Sequence, residues 1–361
     1  MALIPSMAEA LRLTRSGDLF GATKLVRGVM AGEATPAATP APPAARVIDV
    51  TPGRAQAQAR SAGTRTPHPA GNFEARTHRG AAGTIEYMLY RPAGARPEMP
   101  LVVMLHGCTQ SPEDFARGTR MNPLADEYGC LVAYPRQTQS ANMQKCWNWF
   151  QPGNQQRDRG EPALIAGVVR DIVAQEQADA TRVYAAGLSA GGAAAAIMAD
   201  AYPDVFAAIG VHSGIACGAA RDLPSALSAM KNGKQGAATG HAGATAHFVP
   251  VITFHGDRDT TVGEVNARDI VKAATAAAAV KDPVTVETGS AKGRNYSRAL
   301  TRDARGVVVI EQWTIAGAGH AWSGGDAAGS YADAAGPDAS RAMLDFFLTH
   351  KRSGTERAYV D

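Results

Sequence analysis

Short apolar runs that alternate with helical patterns constrain the fold more than any other feature of this 361-residue sequence. Residues 101–105 read Leu-Val-Val-Met-Leu, and similar runs occupy 131–134 and 183–186. A short continuous apolar run bounded by turn residues is typical of a strand buried on both faces, as in a parallel sheet. The sequence therefore predicts an α/β fold, with a mostly parallel central sheet and helices on both faces.

The same alternation extends over most of the chain and sets the predicted domain bounds. Further strands are predicted at 84–90, 206–211, 249–254, 284–287 and 307–313, and helices at 121–128, 162–177, 190–201 and 340–348. These elements place one catalytic domain at residues 81–350 and leave 351–361 as a C-terminal tail.

The first eighty residues differ from this domain in composition. Residues 1–30 predict two short amphipathic helices, because Ser6 and Glu9 fit a capping box and Asp18 can cap a second helix. This N-terminal helical segment is either a docking or dimerisation element or a hairpin packed on the domain. Residues 31–80 are rich in Ala, Pro and Thr and predict a disordered linker.

Charge and composition exclude several classes of function. The formal net charge is +3 with dispersed Lys and Arg, which predicts no nucleic-acid partner. The sequence contains no run of about 18 apolar residues, so no membrane span is expected. No metal site is expected, since no Cys/His cluster has zinc spacing. Glu9, Arg12 and Arg15 interrupt the stretch where the apolar region of a signal peptide would lie.

A serine pentapeptide lies at a junction between a predicted strand and a predicted helix. Residues 187–191 read Gly-Leu-Ser-Ala-Gly, after the apolar run 183–186 and before the Ala-rich helix 190–201. This strand–turn–helix setting is the one that a nucleophile elbow requires. Small residues suit its tight turn, and the helix N-terminus favours developing negative charge. The pattern predicts an α/β-hydrolase fold with Ser189 as the nucleophile; the alternative is a structural turn without chemistry.

Two later loops supply candidates for the acid and the base. In this fold the order along the chain is Ser, then Asp or Glu, then His. The first loop contains both Asp257 and Asp259, and its His-Gly-x-x-Asp-x-x-Val pattern resembles the acid loop of α/β-hydrolases. This resemblance implies that Asp259 is the acid and that Asp257 caps the turn. The second loop contains His320, the predicted general base. Both loops follow predicted strands, so they should meet at the carboxyl edge of the sheet.

The remaining histidines are interpreted as structural. His106 should brace the loop after strand 101–105, while His212 and His255 should be hydrogen-bonded in the interior. His241 and His247 lie in the Gly/Ala/Ser-rich segment 221–247, which is either a flap or an inert insertion.

An oxyanion hole needs two backbone N–H donors about 3 Å from the developing alkoxide. Ala190, the residue after the nucleophile, is the first candidate, and Cys108 in the loop after strand 101–105 is the second. No elbow surrounds Cys108, which argues against a cysteine nucleophile.

Four motifs in a fixed order resemble the polyhydroxybutyrate (PHB) depolymerase family of esterases, which includes feruloyl and acetylxylan esterase-like members. They occupy residues 105–110, 146–150, 187–192 and 319–325. The resemblance covers residues 84–348.

The resemblance implies several residue roles. It suggests a disulfide between Cys108 and Cys146, whereas Cys130 reads as a buried thiol and Cys217 is left unassigned. The substrate-binding candidates are Gln110, Trp147, Trp149 and Trp322. Flat aromatic surfaces suit a hydroxyalkanoate chain or a phenolic ring, although core packing is the alternative.

The implied activity is hydrolysis of short-chain carboxylic esters, such as polyhydroxyalkanoate oligomers or polymer, through an acyl-enzyme on Ser189. No cofactor is expected. The alternatives are a feruloyl or acetylxylan type of esterase, an acyltransferase, and a non-catalytic binding protein on a hydrolase scaffold. The resemblance points to an extracellular or periplasmic location, whereas the missing signal pattern leaves the cytoplasm open.

Overall fold

A computed structural model describes residues 71–234, 248–278, 280 and 284–353. The predicted N-terminal helices, most of the predicted linker, His241, His247 and most of the C-terminal tail lie outside these described residues. Among the described helices, none has the length and apolar character needed to cross a membrane.

Ten strands form one twisted layer through the centre of the molecule. They are β1 Asn72–Gly80, β2 Gly83–Arg91, β3 Leu101–Leu105, β4 Leu131–Pro135, β5 Val183–Leu188, β6 Ala208–His212, β7 Val251–Gly256, β8 Thr285–Ala291, β9 Arg294–Arg302 and β10 Val308–Ile315. Their spatial order is β1-β2-β4-β3-β5-β6-β7-β10-β9-β8. The six strands from β4 to β10 in this order are parallel, and antiparallel strands flank them on both sides.

Helices cover both faces of this sheet. They are α1 Pro112–Thr119, α2 Met121–Tyr128, α3 Gly160–Glu176, α4 Ala190–Ala201, α5 Leu223–Asn232, α6 Val265–Ala278 and α7 Ala339–Phe347, with a 3-10 turn at Pro152–Gln155. Helices α3 to α6 pack in one core, and α1, α2 and α7 pack in the other. Two short strands, β11 Trp322–Ser323 and β12 Ala332–Asp333, form a separate pair.

Strand β3 shows why the central strands are apolar without alternation. All five of its residues are buried, with Val103 in the α3–α6 core and Val102 in the α1–α2–α7 core. Because successive side chains point to opposite faces, a strand between two helical layers must be apolar at every position. The predicted mostly parallel sheet with helices on both faces is confirmed.

Strand β1 corrects the prediction that the linker extends to residue 80. It pairs with β2 over all nine residues, so the domain begins near Asn72. Composition does not predict this strand, because an edge strand gains stability from its backbone ladder and from polar partners. His78 Nδ1 lies 2.8 Å from Asp171 Oδ2, and Arg76 Nη2 lies 2.7 Å from Glu176 Oε1, both partners being on α3.

Several further elements differ from the sequence prediction, which gave no helix at the positions of α1 and α6. Strand β9 was not predicted; it pairs with β8 and β10, and this hairpin extends the sheet beyond its parallel part. Part of the segment 221–247 is the helix α5, which Asp222 caps through the Ser225 amide. The rest of that segment, from residue 235, lies outside the described residues.

Truncation on either side of β1 tests whether this strand belongs to the domain. A chain that starts at Ala81 should unfold roughly 5–10 °C below one that starts at Gly71, because it lacks the β1–β2 ladder and the Arg76 and His78 pairs. Calorimetry on both truncated chains measures the difference. Equal midpoints would show that β1 contributes nothing to stability.

Candidate active site

Ser189 lies in a strained turn between β5 and α4. Its φ of 58° and ψ of −119° are unusual for a residue with a side chain, and its backbone N–H donates to the His212 carbonyl at 2.9 Å. A Cβ on Gly191 would lie 1.9 Å from the Leu105 carbonyl oxygen, and one on Gly187 would lie 2.3 Å from the Gly191 backbone. The two glycines are therefore required because backbone segments pack directly against each other here.

The structure brings Asp259 and His320 together from separate loops. Asp259 Oδ2 lies 2.7 Å from His320 Nδ1, and Asp259 Oδ1 accepts the backbone N–H groups of Thr261 and Val262 at 2.9 Å each. Burial alone would raise the pKa of Asp259, but the hydrogen bonds from His320 and the Val262 amide lower it below its usual value. A charged carboxylate thus holds the imidazole by Nδ1 and turns Nε2 away from itself.

Asp257, the competing acid candidate, has a different position. Its Oδ1 accepts the Gly317 N–H at 2.7 Å, and its own N–H donates to the Ile315 carbonyl at 3.1 Å. Asp257 therefore ties its loop to the loop that carries His320. Of the two aspartates, it is Asp259 that hydrogen-bonds to His320.

The loop at residues 106–110 adjoins the serine turn. A Cβ on Gly107 would lie 3.7 Å from Ser189 Cβ. The Cys108 N–H donates no hydrogen bond within the described part of the chain. The Ala190 N–H is at the first position of α4, where a helix offers no intrahelical acceptor. Both amides are therefore suited to receive an anionic oxygen beside Ser189.

His106 braces this loop as predicted. Its Nδ1–H donates to the Gly107 carbonyl at 2.8 Å, and its Nε2 accepts the Gln137 N–H at 3.1 Å. Burial lowers the pKa of His106 to about 4, so the ring is neutral and can accept at Nε2.

A disulfide joins Cys108 to Cys146 across 38 residues, which confirms the pairing that the resemblance implied. Cys130 and Cys217 are free, and burial raises the pKa of Cys130 to about 12. The bridge fixes the 106–110 loop to the 146–150 loop.

Glu161, which was not predicted from the sequence, contacts the 146–150 loop directly and the 106–110 loop only through Gln137. Its Oε2 accepts the Asn148 N–H at 2.8 Å, and its Oε1 accepts from Asn148 Nδ2 at 2.7 Å and Gln137 Nε2 at 2.5 Å. Burial raises the pKa of Glu161 to about 7 despite these donors. Glu161 precedes Pro162 at the start of a helix, and nothing in that local sequence indicates contacts with the distant Gln137.

Three of the four predicted substrate-binding side chains are instead structural. Trp147 and Trp322 are 0% and 1% exposed, and their Nε1–H groups donate to the His106 carbonyl and to Ser340 Oγ. Gln110 is 2% exposed; it accepts the Gly107 N–H and donates to the Ser330 carbonyl. The prediction was wrong for these three because a buried indole or amide must use its polar atoms within the protein. Trp149 is 5% exposed, and its role stays a prediction.

His255 is also structural, in agreement with the sequence analysis. Its Nε2–H donates to the Val262 carbonyl at 2.8 Å, and burial lowers its pKa. This bond closes the loop that presents Asp259.

Comparisons with known proteins find a matching family and several relatives. A family model described as "Esterase PHB depolymerase" matches residues 85–286. The chain is 32% identical over 246 residues to poly(3-hydroxyalkanoate) depolymerase C of Paucimonas lemoignei, covering 66% of this chain and 58% of that protein. It is 32% identical over 202 residues to feruloyl esterase B of Thermothelomyces thermophilus, covering 52% of this chain and 68% of that protein.

A solved structure shares the fold. Acetyl xylan esterase from Aspergillus awamori superposes with a TM-score of 0.62 at 20% identity, covering 76% of this chain and 99% of that one.

The raised pKa of Glu161 predicts how the stability of the protein depends on pH. The pKa of Glu161 is about 4.5 in the unfolded chain and about 7 in the folded protein. A carboxyl with a raised folded-state pKa stabilises the folded state fully below the unfolded pKa, and this contribution is lost as the pH rises through the folded pKa. Between about pH 4.5 and pH 8, we expect the unfolding free energy of the wild type to fall by about 3 kcal/mol relative to that of Glu161→Gln. Urea unfolding of both proteins at a series of pH values measures this difference. A difference that is constant with pH would contradict the raised pKa.

Proposed function

The chain belongs to the PHB depolymerase family of esterases, and we propose that it is a serine esterase that hydrolyses short-chain carboxylic esters. The observation that carries the proposal is the Asp259–His320 hydrogen bond of 2.7 Å, formed between two loops at the sheet edge where Ser189 occupies its strained turn. A structural turn without chemistry would need neither the strain nor an oriented imidazole.

The proposed reaction proceeds through an acyl-enzyme. Ser189 Oγ attacks the ester carbonyl carbon while His320 Nε2 accepts the hydroxyl proton, and Asp259 stabilises the imidazolium that forms. The N–H groups of Cys108 and Ala190 donate to the developing oxyanion. The imidazolium then protonates the leaving alcohol, and a water molecule activated by His320 hydrolyses the acyl-enzyme.

The proposed substrates are oligomers or polymer of a hydroxyalkanoate. Support comes from the family match and from the relative named as a poly(3-hydroxyalkanoate) depolymerase. The relative named as a feruloyl esterase favours a second candidate, a phenolic ester. A panel of esters that differ in acyl group separates the two.

The role of Ser189 as the nucleophile can be tested by substitution. Ser189→Ala should lower kcat/KM on p-nitrophenyl esters by about four orders of magnitude or more, because the acyl-enzyme cannot form. We expect wild-type activity to be highest with short acyl chains. Ser140→Ala, at an exposed loop position, serves as the control and should retain full activity. Comparable activity in the wild type and Ser189→Ala would place the nucleophile elsewhere, and an inactive wild type would favour the non-catalytic binding protein.

Substitution of Asp259 and Asp257 tests which of the two aspartates is the acid of the proposed site. Asp259→Asn should lower kcat by about 10³ to 10⁴-fold, because an amide no longer holds the required imidazole tautomer or stabilises its charge. Asp257→Asn keeps an oxygen acceptor for the Gly317 N–H and should stay within about threefold of the wild type. Steady-state kinetics on one ester measures both variants. Similar losses in the two would argue against Asp259 as the sole acid.

A further inference from the structure

His212 contacts the Ser189 turn, the His320 loop and the end of β7, the strand that leads to the Asp259 loop. It is the last residue of β6, the strand that lies between β5, which leads to Ser189, and β7, which leads to Asp259. The sequence predicts only that it is a hydrogen-bonded interior histidine. Its position at the centre of the carboxyl edge allows one side chain to fix several loops.

The backbone of His212 holds the serine turn. Its carbonyl oxygen accepts the Ser189 N–H at 2.9 Å, and the next N–H, of Ser213, donates to the Phe254 carbonyl at 2.9 Å. The end of β6 is therefore tied to the nucleophile turn on one side and to the end of β7 on the other.

The imidazole of His212 holds the histidine loop. Its Nε2 accepts the N–H of Ser323, three residues after His320, at 3.0 Å. The ring also stacks on Trp322, with centroids 5.1 Å apart, and on Phe254, with centroids 5.8 Å apart. These contacts set the position of the His320 loop relative to the strand edge.

The ring is held in the one form that can make this bond. Burial, together with the nearby His255 and His320, lowers the pKa of His212 to about 3, so the imidazole is neutral. With Nδ1 facing Ser213 Oγ at 3.3 Å, the Nε2 lone pair is left for Ser323. Ser323 is 2% exposed, so loss of this acceptor would leave a buried N–H without a partner.

We propose that His212 is a positioning residue, which uses Nε2 to fix the His320 loop relative to the Ser189 turn. The proposal rests on the proposed serine esterase function. A displacement of about 1 Å between His320 and Ser189 can lower the rate of the chemical step by about 10²-fold while substrate binding is unchanged. The effect should therefore appear in kcat and not in KM.

The test compares two amide side chains of different reach. The amide oxygen of His212→Gln lies near the position of Nε2 and can accept from Ser323, whereas His212→Asn is one methylene shorter and cannot. We expect His212→Asn to lower kcat by about 10²-fold with KM within about threefold, and His212→Gln to recover kcat to within about fivefold of the wild type. His212→Phe, which keeps the stacking ring without an acceptor, should behave like His212→Asn.

Two further measurements separate positioning from loss of stability. His350 is also buried, at the C-terminal end of α7, and His350→Gln is a matched control that should lower the unfolding midpoint without changing kcat. The rate at which a fluorophosphonate labels Ser189 reports the activated serine without any ester substrate. It should fall in His212→Asn and His212→Phe in parallel with kcat.

The outcomes are distinct. Equal kcat in His212→Gln and His212→Asn, or a kcat that follows the unfolding midpoint in all variants, would overturn the positioning role while leaving the esterase intact. A wild type that neither turns over esters nor reacts with the phosphonate would overturn the proposed function, and the positioning role with it.

Discussion

Direct backbone packing at the serine turn is the constraint on which the rest of the site depends. The Leu105 carbonyl approaches Gly191 so closely that a single methyl group there would lie 1.9 Å from it. This approach forces Ser189 to a positive φ and brings the loop after β3 beside it. The two amides suited to an oxyanion, of Cys108 and Ala190, come from the two segments that this contact joins. The proposed nucleophile and the proposed oxyanion donors thus lie on two segments that one steric contact joins.

The strained turn persists because a polar network surrounds it. The 106–110 loop is held by His106, by the side-chain oxygen of Gln110 and by the disulfide from Cys108. Beneath these, Glu161 accepts three hydrogen bonds from Asn148 and Gln137. Backbone strain survives only where its surroundings over-determine it; here His106 and Gln110 are buried and hydrogen-bonded, and the disulfide adds a covalent tie. Support for the loop therefore comes from residues far away in the sequence, such as Ser330, whose carbonyl accepts a hydrogen bond from Gln110, 220 positions earlier.

The sequence was sufficient to predict those structural features that depend on periodicity and local turns. Apolar runs predicted the central strands, and the glycines around Ser189 predicted the elbow, because both follow from local sterics. It was insufficient where a side chain's partner is distant. Trp147 and Trp322 were assigned to a substrate pocket, yet whether an indole is in the core or at a surface depends on acceptors such as Ser340 Oγ, far along the chain. Strand β1 was missed because its stability comes from pairing with β2, which composition does not encode.

The histidines around the site have two kinds of role, since some support the loops and one is the proposed general base. His106, His212 and His255 are buried and hydrogen-bonded to backbone groups, and burial lowers the pKa of each, so they remain neutral. His320 alone among these four hydrogen-bonds to the buried carboxylate of Asp259. Burial therefore disfavours positive charge on the three supporting rings, and the carboxylate of Asp259 fixes the orientation of the His320 ring. Because they are neutral, His106 and His212 keep the Nε2 lone pairs that accept the N–H groups of Gln137 and Ser323, and His255 donates its Nε2–H to the Val262 carbonyl. These bonds hold the loops around His320 in place in the proposed mechanism, in which His320 takes a proton.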